Sequence, residues 1–158
     1  MSARISYTHA DPKAVQLLLA VETHIRTSKL ESNLLHLVKM RASQINGCAF
    51  CLDMHSKDAR ADGESEQRLY SLDAWQEAPY YSERERAALE WTEALTTLSN
   101  GHASDSVYEK VRSHFDEQEI VALTLCIAMI NSWNRMNVAL RTEAGSYRPG
   151  MFKDMRSA

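Results

Sequence analysis

The chain has 158 residues, 44% of them apolar and 25% charged, with a net charge of -3. That length carries one ordinary domain with a hydrophobic core, and a mean hydropathy of -0.40 excludes a disordered chain and a membrane-spanning one. The mild negative charge leaves no electrostatic footprint for nucleic acid or for an anionic membrane. With five glycines and three prolines the chain has few breakers, which favours long helices. Residues 1–12 include Arg4, His9 and Asp11 and lack the apolar stretch of a secretory signal. The longest apolar run, residues 120–130, is too short to span a bilayer. The expected location is therefore the cytoplasm. There, the three cysteines point to redox or metal chemistry rather than to a disulfide scaffold.

In chain order, Asp11-Pro12 opens a first helix, with Val15, Leu18, Leu19 and Ile25 on its apolar face. A second helix is predicted over residues 31–44 and stops at Asn46-Gly47, where both residues tolerate the left-handed conformation. A third begins near Cys48 and ends before Gly63, and a shorter one covers residues 65–74. Ser82 and Glu85 form a capping box for a helix reaching about Ser99, closed by Asn100-Gly101. In it, Arg84 and Arg86 read as a solvated face. Ser104-Asp105 starts a helix to about His114. Asp116 and Glu119 start the last one, to about Arg141. From Ile120 to Ile130 that helix is apolar nearly all round, which demands either a central position or a subunit interface. The expectation is a compact all-α bundle of six or seven helices, a single domain over residues 1–158 with a frayed tail from about residue 145.

The informative segment runs from Asn46 to His55. Cys48 and Cys51 are three apart on a helix, so they share a face, with Cα atoms ~5 Å apart and within reach of a disulfide. Unpaired N–H groups and the helix dipole at a helix N-terminus favour a thiolate, and by that argument Cys48, nearer the N-terminus, is the nucleophile. A thiolate attacks a peroxide oxygen to give a sulfenic acid, which a second nearby thiol converts to a disulfide. His55, one turn after Cys51 on the same face, is placed to relay its proton. If the helices fold back about Asn46-Gly47, His36 falls level with about residue 57, opposite His55. The competing use of Cys48, Cys51, His55 and His36 is a Cys₂His₂ zinc site, but the turn around a zinc-binding pair is missing and a core of this size needs no metal staple. No cofactor is expected. Cys126 reads as inert core, and Trp75, Trp91 and Trp133 as core or interface anchors.

The run from Leu37 to His55, with Arg41, Ser43, Gln44, Asn46 and Gly47 ahead of Cys48, Cys51 and His55, resembles the core motif of the alkyl hydroperoxidase D-like proteins of the carboxymuconolactone decarboxylase superfamily. The likeness extends through residues 64–69 and 131–135. The resemblance implies an all-helical fold, homo-oligomers built on trimers or hexamers, a hydroperoxide substrate and a dithiol reductant protein. It also implies roles: Cys51 attacks the peroxide, Cys48 resolves, and His55 relays the proton. The family relay includes a glutamate twelve residues before the first cysteine, where this chain has His36, and a histidine between the cysteines in some members, where it has Phe50. The expected function is a thiol-dependent peroxidase working through a dithiol/disulfide cycle, with catalytic residues Cys51, Cys48, His55 and His36. The alternatives are a non-catalytic redox-sensing or partner-binding oligomer and, less favoured, a lactone decarboxylase.

Overall fold

The computed structural model describes residues 2–100 and 102–152. Among them are eight α-helices and no strand: α1 (Tyr7–Ala10), α2 (Pro12–Arg26), α3 (Ser32–Ile45), α4 (Ala49–Ala61), α5 (Glu66–Tyr70), α6 (Glu83–Thr96), α7 (Asp105–Arg112) and α8 (Glu117–Leu140). The all-α class is as expected. The helix count rises to eight because Tyr7–Ala10 forms an additional short helix. The segment expected as one helix over residues 65–74 divides into α5 and a 3₁₀ turn at Leu72–Ala74.

Local chemistry accounts for the helix starts. The Asp11 carboxylate accepts from the Ala14 N–H at 3.0 Å, with Pro12 at the first helical position. Ser82 with Glu85, and Asp116 with Glu119, close reciprocal capping boxes. Each such cap is worth about 1 kcal/mol. α6 stops at Thr96, short of Ser99, because Thr97 leaves helical geometry and its hydroxyl donates to the Glu93 carbonyl at 2.7 Å. Gly101, named as part of that stop, lies outside the described residues.

The all-apolar stretch of α8 is a central helix. Leu123, Cys126, Ile127 and Ile130 are 0–1% exposed, and α8 packs against α2, α3, α4, α6 and α7. Its flanking core holds Ile25 of α2, Leu34, Leu35 and Val38 of α3, and Ala88 and Trp91 of α6. A second cluster under α3, α4 and α6 gathers Leu37, Met40, Ala59, Leu72, Trp75 and Leu89. A third, small one is Ala42, Cys48, Cys51 and Ile130. The cysteines are thus seated where α3, α4 and α8 converge.

Two expectations need correction. Arg84 and Arg86 are not a merely solvated face. Arg84 pairs with Glu119 at 2.7 Å and Glu31 at 3.1 Å, with its guanidinium over the Phe115 ring at 3.9 Å. Arg86 donates to the carbonyls of Trp75, Gln76 and Tyr81, at 2.8–3.1 Å, and to that of Ala78, tying down the loop before α6. Residues 145–152 are not frayed. Tyr147 is 3% exposed, its hydroxyl donates to Asp58 at 2.7 Å, and Lys57 donates to the carbonyls of Gly145 and Tyr147. The Tyr147 ring packs down on α4, and Lys57 of α4 holds the carbonyls of a segment that looks polar by composition. Residues 153–158 of the expected tail lie outside the described residues.

Candidate active site

The turn between α3 and α4 sets the thiols. Asn46 ends α3 and Gly47 takes φ +63°, a left-handed conformation that strains any other residue even where space is free. The Cys48 N–H then bonds back to the Ser43 carbonyl at 3.0 Å. Cys48 becomes the N-cap of α4 and Cys51 its third residue. The Cys51 N–H donates to the Cys48 sulfur at 3.4 Å, as a hydroxyl oxygen would accept at an ordinary N-cap. The two sulfurs are 2.6 Å apart, joined by an S–H bond. Both residues are buried, at 1% and 0% exposure.

That S–H bond splits the pair electrostatically. Cys48 is held well below the ordinary thiol range, first by the Cys51 S–H and then, against the cost of burial, by the N–H groups of Cys51 and Phe50 and the Asn134 amide. Cys51 is raised by the same bond and by burial. The pair therefore gives up its first proton more readily than its second, and the charge is favoured on the Cys48 side. Cys126 has no such donors. Burial, with Lys39 opposing it and Glu22 adding to it, pushes its thiol up to about 12, consistent with an inert core thiol.

Residues that sequence reasoning missed complete the site. Asn131, Asn134 and Asn137 lie three apart along α8 and are 8%, 1% and 4% exposed. Asn137 donates to the Cys51 sulfur at 3.4 Å, and its carbonyl accepts from the Tyr7 hydroxyl at 3.1 Å. Tyr7 thereby fixes which way that amide points. Burial and the neighbouring thiols raise the Tyr7 phenol above its usual range, so it stays a donor. Asn134 donates to Ser43 at 3.0 Å, and Asn46 donates to both Asn131 and Asn134 at 2.9 Å. Three buried amides on one stripe of an apolar helix were the available signal, since each needs a partner.

His55 is 7% exposed, one turn beyond Cys51. It lines an apolar cavity of about 80 Å³ whose walls include Tyr7, Phe50, Trp133, Asn137 and Phe152. Trp133 is thus a wall of the site as well as a core anchor. At the cavity edge Glu22 takes Lys39 at 2.6 Å and the Trp133 N–H at 3.1 Å.

His36 is not brought to the thiols. Its Nε2 lies 2.7 Å from Asp62, the C-cap of α4. Eleven residues of helix separate Asp62 from Cys51, about 16 Å. The hairpin forms, but helical side chains lean toward their own N-terminus, and in an antiparallel pair that carries His36 toward the far end of α4. The same displacement disperses the Cys₂His₂ set considered for zinc. Among the described residues no three His, Cys, Asp or Glu side chains gather as a metal site.

Comparison with known proteins bears on the family and the fold. The uncharacterized protein YdfG of Bacillus subtilis is 44% identical over 146 residues, covering 92% of this chain and 99% of its own. A crystal structure of a protein of unknown function from Agrobacterium tumefaciens, proposed to be the antioxidant defence protein AhpD, is 44% identical with a TM-score of 0.89, covering 92% of this chain and all of that one. The debrominase Bmp8 shares the fold at 21% identity and a TM-score of 0.79, over 88% of this chain and 75% of its own. The carboxymuconolactone decarboxylase family model matches residues 12–94. With more than half its length matched in this way and a near full-length relative at 44% identity, the chain belongs to the carboxymuconolactone decarboxylase family, with an alkyl hydroperoxidase D-like fold.

Proposed function

We propose that this protein is a thiol-dependent peroxidase that cycles Cys48 and Cys51 between dithiol and disulfide. The observation that carries the reading is the buried sulfur pair, 2.6 Å apart at the start of α4. Transfer of the Cys51 proton to Cys48 leaves a thiolate on Cys51, where the Asn137 amide donates to it. The Cys51 thiolate attacks the outer peroxide oxygen, the O–O bond breaks, and the alcohol leaves. Cys48 then attacks the sulfenic sulfur of Cys51, water leaves, and the disulfide closes. The balance requires one proton from solvent, and His55, one turn beyond Cys51 and lining the cavity, delivers it. His36 has no place in this relay.

Stopped-flow consumption of a hydroperoxide, followed by turnover with a dithiol reductant, tests the reading. Both thiols should disappear in a burst, and turnover should continue while reductant lasts. Cys51→Ser should abolish consumption. Cys48→Ser should give a single burst that stalls as a sulfenic acid on Cys51, trapped by a dimedone-type reagent. His55→Ala should slow the burst by on the order of a hundredfold if it is a general acid–base group. A sulfenic acid on Cys48 in Cys51→Ser would reverse the two roles. Disulfide formation without turnover would make the protein a redox sensor, and no reaction with peroxide would end the proposal.

A further inference from the structure

The arm ahead of α2 reaches the thiols. The Arg4 N–H donates to the Leu140 carbonyl at 2.9 Å, and the Arg4 guanidinium donates to the Ala139 carbonyl at 3.0 Å. The Ala3 N–H donates to Glu143 at 3.3 Å. The two Arg4 bonds occupy carbonyls that a helix end leaves open, and they fasten the arm to the end of α8. α1 then lays the Tyr7 ring beside Trp133, with centroids 6.2 Å apart. Asn137 stands one turn further along α8 than Trp133, so a ring packed on one carries its hydroxyl to the other. That hydroxyl donates to the Asn137 side-chain carbonyl at 3.1 Å, and the Thr142 hydroxyl bonds the same phenol. With Tyr7 donating to its carbonyl, the amide turns its N–H to the Cys51 sulfur, 3.4 Å away. Thr142, Tyr7, Asn137 and Cys51 thus form one directed chain.

We infer that Tyr7 is a positioning residue that selects Cys51 as the attacking sulfur, by holding the Asn137 N–H on it. The inference rests on the peroxidase reading for the attack itself and adds the group that directs it. The two sulfurs draw on different donors. Cys48 has the N–H groups of Cys51 and Phe50, Cys51 has the Asn137 amide, and Asn134 serves both. The charge is favoured on the Cys48 side, so Cys51 needs a donor of its own to react as the thiolate. An amide N–H supplies it, because such a donor stabilises a thiolate and not a thiol. An amide turned the other way would set its carbonyl on the sulfur and favour the protonated form. The titratable groups around Cys51 are Cys48 and His55 on α4 and Tyr7 on α1, with the Glu22–Lys39 pair on the cavity that His55 lines. α3 and α8 bring Ala42, Ser43, Ile130, Asn134 and Asn137, none of which titrates. The direction of one amide therefore weighs on the choice between two adjacent sulfurs.

The test reads each sulfur alone. Alkylation by iodoacetamide is followed against pH and assigned by peptide mass, at Cys51 in Cys48→Ser and at Cys48 in Cys51→Ser, each with and without Tyr7→Phe. Serine at position 48 keeps a cap on α4, and phenylalanine at position 7 keeps a ring beside Trp133 while removing the hydroxyl. In Cys48→Ser, Tyr7→Phe should move the Cys51 midpoint up by about one pH unit, which is about tenfold in rate at a pH below both midpoints. In Cys51→Ser, Tyr7→Phe should leave the Cys48 rate within about twofold at every pH. Asn137→Leu should move Cys51 as far as Tyr7→Phe does, and the two together should move it no further, since the phenol acts through the amide. A Cys51 profile that Tyr7→Phe leaves in place would overturn the inference. So would equal shifts at both cysteines, the mark of a loosened arm, or a further shift when Tyr7→Phe is added to Asn137→Leu. Alkylation involves no peroxide. Peroxide-driven thiol loss in the wild-type protein tests the peroxidase reading by itself, and its failure would leave Tyr7 as the residue that selects the reactive thiol.

Discussion

At the scale of single residues, the site turns on one S–H bond. It joins Cys51 to Cys48 and is the largest cause of the lowered Cys48 thiol. The sign of its loss follows directly. Without the donor, the Cys48 thiolate is less stabilised, burial still opposes the charge, and the thiol moves up. In Cys51→Ala the rate of alkylation of Cys48 by iodoacetamide, measured against pH, should therefore rise at higher pH than in Cys51→Ser, whose hydroxyl can still donate. Superimposable profiles for the two variants would contradict this account of the charge. The cysteines and His55 were legible in the sequence because helical spacing alone puts them on one face. Asn137 and Tyr7 were not, because their place depends on how α8 and α1 pack. The asparagine stripe on α8 marked buried partners without saying which groups they would meet.

At the scale of elements, the caps and the hairpin about Asn46-Gly47 could be read in advance because they depend on neighbours in the chain. The place of His36 could not. Counting residues back from the turn sets Cα atoms level, but side-chain lean on antiparallel helices offsets the groups that meet, and His36 finds Asp62 instead of His55. The pair ties the N-terminal half of α3 to the end of α4, with Ser32 also donating to Asp62 at 3.2 Å. It is therefore a clamp between helices. His36→Ala should leave peroxide consumption and thiol alkylation unchanged and lower stability by about 0.5–1 kcal/mol, read as a shift of the urea midpoint at constant slope. A large loss of peroxide consumption at unchanged stability would restore His36 to the relay. Residues 145–152 show the complementary failure of composition. One buried tyrosine and the donations from Lys57 order a stretch rich in polar residues.

At the scale of the whole molecule, the central α8 leaves part of itself uncovered. Val121 is 67% exposed and lies with Ala122 and Leu125 beside His24 and Thr27 of the α2 end. The family resemblance implies a homo-oligomer, and an exposed branched side chain beside the buried core face of α8 is where a second copy would gain most. Light scattering at micromolar concentration should give a mass above the 17.9 kDa of one chain. Val121→Glu should shift the population toward smaller species. A wild-type monomer would count against the assembly. No helix among the described residues is long and apolar enough to cross a membrane.

The turn that seats the thiols also has a bearing on how the protein ages. Asn-Gly is the dipeptide whose side chain most easily cyclises onto the following backbone nitrogen, losing ammonia and leaving aspartate or isoaspartate. Here the Gly47 N–H is engaged with the Gln44 carbonyl at 3.1 Å, and the Asn46 amide is held by Asn131 and Asn134. Folding therefore withholds both partners of the cyclisation, whereas an unfolded chain exposes them. Conversion at position 46 would set a carboxylate against two amide carbonyls that now accept its N–H groups. Chains damaged while unfolded would then refold without the bridge from the turn to α8, and lose the register of the sulfurs before any sulfur had reacted.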